Sequence, residues 1–388
     1  MGDIVLTVSI LVSNNYANVR RCLESVKSLL EAVPSELILT DTGCDKRVRD
    51  LLETYTNHII EFEWCQDFSA ARNVGLREAK GEWFLYIDDD EWFEDVRPLV
   101  DFFTSEESCN YNVAFYIQRN HIDHSGTNYV DYYVDRILRI QEQLHFVHRV
   151  HEAYTGIEIG NKKVIPCVAN HDGYIYANEE EKRAKHVRNQ KLLEMECKEN
   201  PEDMRMRYQL VINQYDIQDW DGAIAYAVEG IDENPDSNSE YWDACHTSIL
   251  YCLEKKGDWE QIIQSGKCFL KKKLYPLDSF GTLQYLMRAD YHLKRFEELC
   301  RFADVALDIY SEYKKTPQLF NPNQLMRQDF IDEGSLWSMV KIILVAAMIT
   351  KNEDLLYKLV TGCLKEIVRD ITSDATLITN EIQAIGIQ

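Results

Sequence analysis

Apolar positions in the first hundred residues follow two alternating rhythms. Short β-branched or aromatic runs at Thr7 to Val12, Glu36 to Thr40, Ile59 to Phe62 and Trp83 to Ile87 predict strands, the last apolar enough to be buried on both faces. Between them, Val19 to Leu30, Val48 to Tyr55 and Phe68 to Ala79 space their apolar residues as helices do. Asp67 or Ser69 is positioned to cap the third of these, and Gly81 stands just past its end. Strand–helix alternation of this kind predicts a mostly parallel, Rossmann-like α/β sheet. Ligands on such sheets bind beyond the carboxyl ends of the strands, so candidate chemistry is sought in the residues that follow each run.

From about Asn178 the strand rhythm stops and the pattern becomes helical. Asp219-Trp220, Asp258-Trp259 and Arg295-Phe296 recur about 40 residues apart, each between two helical stretches. Ala223, Ala227, Gly230 and Pro235 put small residues where the two helices of a tetratricopeptide repeat meet, with a closing proline, although Val211 stands where a glycine would help. Three or four helical hairpins are expected, against an ordinary helical domain with accidental spacing. The division is therefore an α/β domain over residues 1–178 and an α-helical repeat domain over residues 179–388.

Composition limits the partners. The 388 residues carry 65 acidic and 42 basic side chains, a net charge of −23, with no Lys/Arg block, so nucleic acid and anionic membrane are poor candidates. Hydrophobic residues make up 45% of the chain, enough for a core in each domain. The apolar run at Ile4 to Val12 follows Asp3 where a signal peptide needs a basic residue, and Ile342 to Met348 is far short of the roughly 20 residues of a membrane span. Eleven cysteines without a CxxC pair fit reduced, buried thiols, and the expected location is the cytoplasm.

The sharpest chemical feature is Asp88-Asp89-Asp90-Glu91, four carboxylates directly after a buried strand. Like charges so close need a cation, and oxygen-rich clusters select Mg²⁺ or Mn²⁺, which can bridge a carboxylate to a diphosphate. The ordinary alternative is a solvated acidic turn opening a helix. Asp41 follows the second strand and suits either a contact to a base or ribose or a local Asx-turn. Arg72, near the start of the third helix, can neutralise phosphate or pair with Asp41 or Asp88. No GxGxxG and no GxxxxGK[ST] occurs, which removes the usual signals of dinucleotide oxidoreductases and P-loop kinases.

These stretches together resemble the donor-binding half of family 2, GT-A-fold glycosyltransferases. The resemblance is carried by Val12-Ser13-Asn14-Asn15, Thr40-Asp41-Thr42-Gly43, Asp67-Phe68-Ser69-Ala70-Ala71-Arg72-Asn73 and Gly81-Glu82-Trp83 leading to Asp88-Asp89-Asp90-Glu91. It continues through His151-Glu152 and His171-Asp172-Gly173-Tyr174 toward the first repeat, and is similar to bacterial members with a tetratricopeptide-like C-terminal domain, including peptide S-glycosyltransferases of the glycocin type. The resemblance implies a nucleotide-sugar donor, a UDP-sugar, met by Val12, Asn14, Asp41, Arg72, Asp88 and Asp89. Asp88 and Asp90 would form the DXD pair, with Asp90 as direct ligand of Mn²⁺ or Mg²⁺ and His171 as a further ligand. Two positions depart from the family pattern: Cys44 precedes Asp45 where Ser and an acidic residue are usual, and the middle DXD residue is Asp89 rather than a small one.

His145, His148 and His151 invite a zinc reading, but no HExxH follows, since residue 155 is Thr155. Glu152 is instead the candidate general base, with His151 orienting it, because inverting transfer needs a carboxylate facing the acceptor. The expected function is metal-dependent, inverting transfer to a peptide or protein side chain held by the helical repeats, whose stacked pairs offer a concave surface. The competing expectations are a glycan or lipid-linked acceptor, or a catalytically silent interaction scaffold. A homodimer is one open assembly state.

Overall fold

The computed structural model describes residues 4–176, 178–215, 217–272, 275–317 and 330–385. Asp3, in the leader position, lies outside them. The described chain divides into two compact units, residues 1–192 and 193–388.

The first unit is built on strands β1 (Leu6–Val12), β2 (Ser35–Asp41), β3 (Ile59–Glu61), β4 (Trp83–Asp88), β5 (Glu91–Phe93), β6 (Val113–His121), β7 (Tyr129–Arg139), β8 (His145–Val147), β9 (Ala153–Thr155) and β10 (Lys162–His171). One sheet runs β3-β2-β1-β4-β7-β6-β10-β5, and β8 and β9 form a separate antiparallel pair. β3, β2, β1 and β4 are mutually parallel, as the alternating rhythm predicts. Beyond β4 the sheet becomes mixed, with β7 antiparallel to both β4 and β6. The order turns at β1, which has β2 on one side and β4 on the other, so the chain's crossovers leave a crevice above the ends of these three strands.

Helices α1 (Tyr16–Ala32), α2 (Lys46–Leu52) and α4 (Arg97–Thr104) flank the sheet with α3 (Phe68–Glu78). Leu6, Val8, Ile10 and Val12 of β1 bury against Val19, Leu23, Val26 and Leu29 of α1. Thr7 and Ser9 point the other way and are also buried. There α3 comes so near β1 that a Cβ on Gly75 would lie 2.6 Å from Ser9 Oγ. That close approach fixes the N-terminus of α3 beside the ends of β1 and β4.

The acidic run does not open a helix. Asp88 ends β4, Asp89 and Asp90 form a turn, and Glu91 begins β5, which returns to pair with β10. α4 starts only at Arg97.

α5 (Glu179–Glu199) is followed in the second unit by four helix pairs: α6 (Met204–Tyr215) with α7 (Trp220–Glu233), α8 (Glu240–Lys256) with α9 (Trp259–Phe269), α10 (Pro276–His292) with α11 (Phe296–Lys315), and α12 (Glu333–Thr350) with α13 (Glu353–Thr361). α14 (Lys365–Ser373) and α15 (Ala375–Ala384) close the unit. The recurring dipeptides mark the start of each second helix. Asp219 caps α7, Asp258 caps α9 and Asn352 caps α13, each through a backbone N–H three residues on, and Arg295 stands at the same place before α11. Ala223 and Ala227 are fully buried, and a Cβ on Gly230 would come within 3.3 Å of Arg207, so small residues set the α6–α7 approach. Among the described residues α12 has membrane-spanning length and hydropathy (18 residues, mean hydropathy 1.4), with half of it buried in the unit's own core.

Candidate active site

The carboxyl ends of β1, β2 and β4 bring Val12, Asp41 and Asp88 to one edge. At the β2 end, Asp41 Oδ1 accepts the N–H groups of Gly43 (3.0 Å) and Cys44 (2.7 Å), and Oδ2 accepts Arg49 Nη1 (3.0 Å). Burial raises the pKa of this carboxyl, but those donors outweigh it and hold it below the usual range. Asp41 thus closes an Asx-turn. The Val12 carbonyl accepts Thr42 Oγ1 (2.8 Å) and Asn14 Oδ1 accepts the N–H of Asp45 (2.7 Å), locking the β1 and β2 loops together. Asn14, Asn15, Tyr16, Ala17, Asp45 and Arg47 line an open depression of ≈ 610 Å³ there, with the Arg47 guanidinium 4.1 Å above the Tyr16 ring.

The β4 end is organised by two arginines, Arg72 buried and Arg136 half-buried. Asp88 receives Arg72 Nη2 on Oδ1 (2.5 Å) and Arg136 Nη1 on Oδ2 (2.8 Å). Desolvation would raise the Asp88 pKa, yet Arg136 and Arg72 hold it far below the carboxylate range. Arg136 also meets Glu91 (2.8 Å), which is fully buried and accepts Tyr116 Oη (2.8 Å) and Gln118 Nε2 (2.6 Å). Both guanidinium groups lie over the Tyr86 ring. The like charges of the acidic run are therefore offset first by protein cations. Of the two roles the sequence leaves open to Arg72, a phosphate contact or a pair with Asp41 or Asp88, the structure shows the pair with Asp88.

Arg72 has a second partner, Glu152, through Nε to Oε1 (2.7 Å). The rest of its motif explains why. Asp67 caps α3 by accepting the Ala70 N–H (2.9 Å). Ser69 donates to the His148 carbonyl, and Asn73 exchanges two hydrogen bonds with the backbone of Phe146 (2.7 and 2.8 Å). Asp67 to Asn73 is thus a bracket that fastens residues 146–149 to α3 and sets Glu152 on Arg72. Among the described residues the other Glu152 oxygen accepts no hydrogen bond, leaving it open to a substrate. His151 is exposed at φ 54°.

Asp89 and Asp90 diverge at the turn. Asp89 Oδ2 accepts the Ser13 N–H (2.6 Å), and burial pushes its carboxyl up to about 7, with Asp90 and Asp88 adding to the rise and Ser13 opposing it. Asp90 Oδ1 faces His171 Nε2 at 3.5 Å. His171 Nδ1 lies 2.5 Å from Asn120 Oδ1, an acceptor that favours a proton on Nδ1, and Nε2 faces Asp90, as a donor when the ring is protonated and as a lone pair when it is neutral. Burial lowers the His171 pKa, but Asp90 and its acidic neighbours reverse this and raise it overall. A Cβ on Gly173 would sit 2.3 Å from His171 Nε2 and 3.0 Å from Asp90 Oδ2, so only glycine leaves that gap clear.

Among the described residues no three His, Cys, Asp or Glu side chains converge on one point. Two protein donors nonetheless suit Mg²⁺ or Mn²⁺, which keep waters and substrate phosphate oxygens in their other positions. Adjacent ligands of an octahedral ion at about 2.1 Å stand roughly 3 Å apart, near the Asp90–His171 spacing. Asn120, on the far nitrogen of the ring, fixes the orientation in which Nε2 is presented.

Arg136 and Asn120 escaped sequence reading, while Tyr86 and Gly173 stand in stretches it marks only as a strand and as part of the resemblance. Arg136 and Asn120 lie on β7 and β6, where no strand pattern had been read and no motif marks them.

A mixed sheet of this order, with its functional side chains at the ends of the central parallel strands, is a GT-A-like α/β fold, here joined to an all-helical region. Residues 7–158 match the family model described as glycosyl transferase family 2, and the N-terminal unit carries that family's domain. The glycosyltransferase SunS from the SPbeta prophage of Bacillus subtilis is 28% identical over 157 residues, 38% of this chain and 34% of that protein. A TPR repeat-containing protein of Synechococcus elongatus is 34% identical over 86 residues, 22% of this chain and 20% of that protein. The chain thus spans about a third of the length of the first relative and a fifth of the second. Residues 1–349 of S. aureus TarS align at a TM-score of 0.35 and 10% identity over 75% of this chain and 91% of that one, a score too low to argue from.

Proposed function

We propose that the N-terminal unit transfers a sugar from a UDP-sugar to a peptide or protein side chain, inverting the anomeric carbon. The observation that carries this reading is the separation of roles among the carboxylates: Asp88 is neutralised by two arginines, Asp90 is left facing His171 Nε2, and Glu152 is held on Arg72 with one oxygen open. The acceptor oxygen or sulfur gives its proton to the open oxygen of Glu152 and forms a bond to the anomeric carbon. The bond from that carbon to the diphosphate breaks with its electron pair, and UDP leaves. Asp90 and His171 would hold Mn²⁺ or Mg²⁺, which supplies positive charge to the leaving diphosphate. Asp41, with Arg49, keeps the β2 loop in the shape that borders the base and ribose, and Asn14 lines the adjoining depression. The similarity to a glycosyltransferase, SunS, and to a TPR repeat-containing protein supports sugar transfer by the N-terminal unit and helical repeats in the second.

Thermal unfolding with UDP-glucose or UDP-N-acetylglucosamine, with and without Mn²⁺, tests this directly. A donor at about 100 times its Kd stabilises by about 2.7 kcal/mol. The shift should require Mn²⁺ and disappear in Asp90→Ala, whose own midpoint stays near wild type because Asp90 is not part of the arginine network. A donor shift that persists in Asp90→Ala would sink the metal role. Gly173→Ala is the milder form of the experiment. Its methyl group pushes the His171 ring aside, and Mn²⁺ affinity should fall by about 10–100-fold. Unchanged affinity would show that His171 is no ligand.

A further inference from the structure

β7 pairs with β6 from Tyr129 to Leu138 but with β4 only through Ile137, Leu138 and Arg139. Its other edge therefore meets no strand among the described residues from Tyr129 to Tyr133, the stretch that runs past Asp88, where β4 stops. The hydrogen bond from the Ile122 N–H to the Asn128 carbonyl (3.0 Å) sets the phase of the β6–β7 ladder. Alternation along an antiparallel pair then turns the N–H and C=O groups of Tyr129, Asp131 and Tyr133 away from β6 and toward the open edge.

Proteins blunt such edges with lysine, proline or bulges, because an unpaired ladder recruits another strand. Tyr129-Val130-Asp131-Tyr132-Tyr133 has neither lysine nor proline, and all five residues are exposed, Tyr133 at 65%. Val130 and Tyr132 lie opposite Asn120 and Gln118 in the register and so share their face of the sheet. Asn120 holds His171 and Gln118 holds Glu91, so this face leads into the candidate site. At the inner end of the edge, Tyr154 Oη donates to Asp135 Oδ2 (2.7 Å), tying β9 to β7 two residues beyond Glu152.

We propose that the acceptor is an extended peptide segment that adds as a strand to the open edge of β7 at Tyr129 to Tyr133, its backbone meeting the outward N–H and C=O groups and its reactive side chain delivered toward Glu152. This rests on the glycosyltransferase reading above and names where its acceptor lies. Strand addition takes its affinity from main-chain bonds and its selectivity from alternate side chains, here met by Val130 and Tyr132. Charge selects the occupant. Asp131 is held by Arg119 (2.9 and 3.0 Å) and Asp135 accepts Tyr154, so selection falls to the chain's net charge of −23, which repels a second copy and favours a neutral or basic peptide.

Tyr133→Pro removes one outward N–H while leaving the β6 ladder intact, since proline is tolerated where a strand's N–H faces solvent. The full chain, Mn²⁺, a UDP-sugar and a pool of short unstructured peptides carrying Ser, Thr or Cys are the components, with donor hydrolysis read alongside peptide transfer. Transfer should fall about tenfold more than hydrolysis, as for one lost hydrogen bond. Tyr132→Thr, which keeps strand preference but removes the ring, should raise the KM for peptide with a smaller change in kcat. In wild type the amides of Tyr129, Asp131 and Tyr133 should gain protection from hydrogen exchange when the peptide pool is added, with or without turnover. Equal loss of transfer and hydrolysis, unprotected amides, transfer confined to glycan acceptors, or a dimer that Tyr133→Pro dissolves would each overturn the proposal. Failure of the underlying reading looks different: wild type then neither binds nor hydrolyses any UDP-sugar, before a peptide is added.

Discussion

Replacing Arg72 with methionine should lower the stability of the N-terminal unit by about 3–5 kcal/mol, the range for removing one partner from a buried ion pair. Arg72 is 6% exposed and bridges Asp88 and Glu152, so the variant leaves one oxygen on each carboxylate without its donor. For a unit of this size that is a fall of roughly 10 °C or more in the unfolding midpoint. Methionine fills the aliphatic volume, so the loss reports the charge network rather than a cavity. Arg72→Lys keeps the charge but has a single ammonium in place of a fork that reaches both carboxylates, and should recover only part of the stability. A midpoint within 2 °C of wild type for Arg72→Met, by calorimetry, would mean that Arg136 alone suffices to hold Asp88.

Glu152→Gln should leave the fold in place and cut peptide transfer by about 10²–10⁴-fold, the usual worth of a positioned general base. Glutamine can still accept from Arg72 Nε through its amide oxygen, so the position of residue 152 is preserved while its basicity is lost. UDP binding, measured by calorimetry with Mn²⁺, should match wild type. The paired readout separates two roles: a fall in both would make Glu152 part of the donor site, and equal turnover in both proteins would remove it as the base. His151 is exposed beside it, and His151→Ala tests whether it orients the carboxylate, with an expected loss well below that of Glu152→Gln.

The four parallel strands, their helices and the position of the ligand edge follow from local pattern, because each strand there is a continuous apolar run and each helix has an apolar stripe. The helix pairs of the second unit are legible for the same reason, since Asp219, Asp258 and Asn352 act on backbone amides three residues away. β6, β7 and β10 are different. Their side chains are mixed, with polar residues such as Gln118, Asn120 and Asn170 buried on them, so alternation is blurred and their pairing depends on partners far along the chain.

The chemistry divides along the same line. That Asp88 to Glu91 needs a cation could be read from charge density within four residues. Which cation answers which carboxylate could not, because the partners of Asp88 are 16 and 48 residues away and the partner of Asp90 is supplied by the end of β10. Short-range rules of spacing and capping act within a turn or two and are written in order along the chain. Arg136 on Asp88, His171 against Asp90 and Arg72 beneath Glu152 exist only once the strands have paired and α3 has docked over Gly75, since ion pairs form between groups that folding brings within a few ångströms.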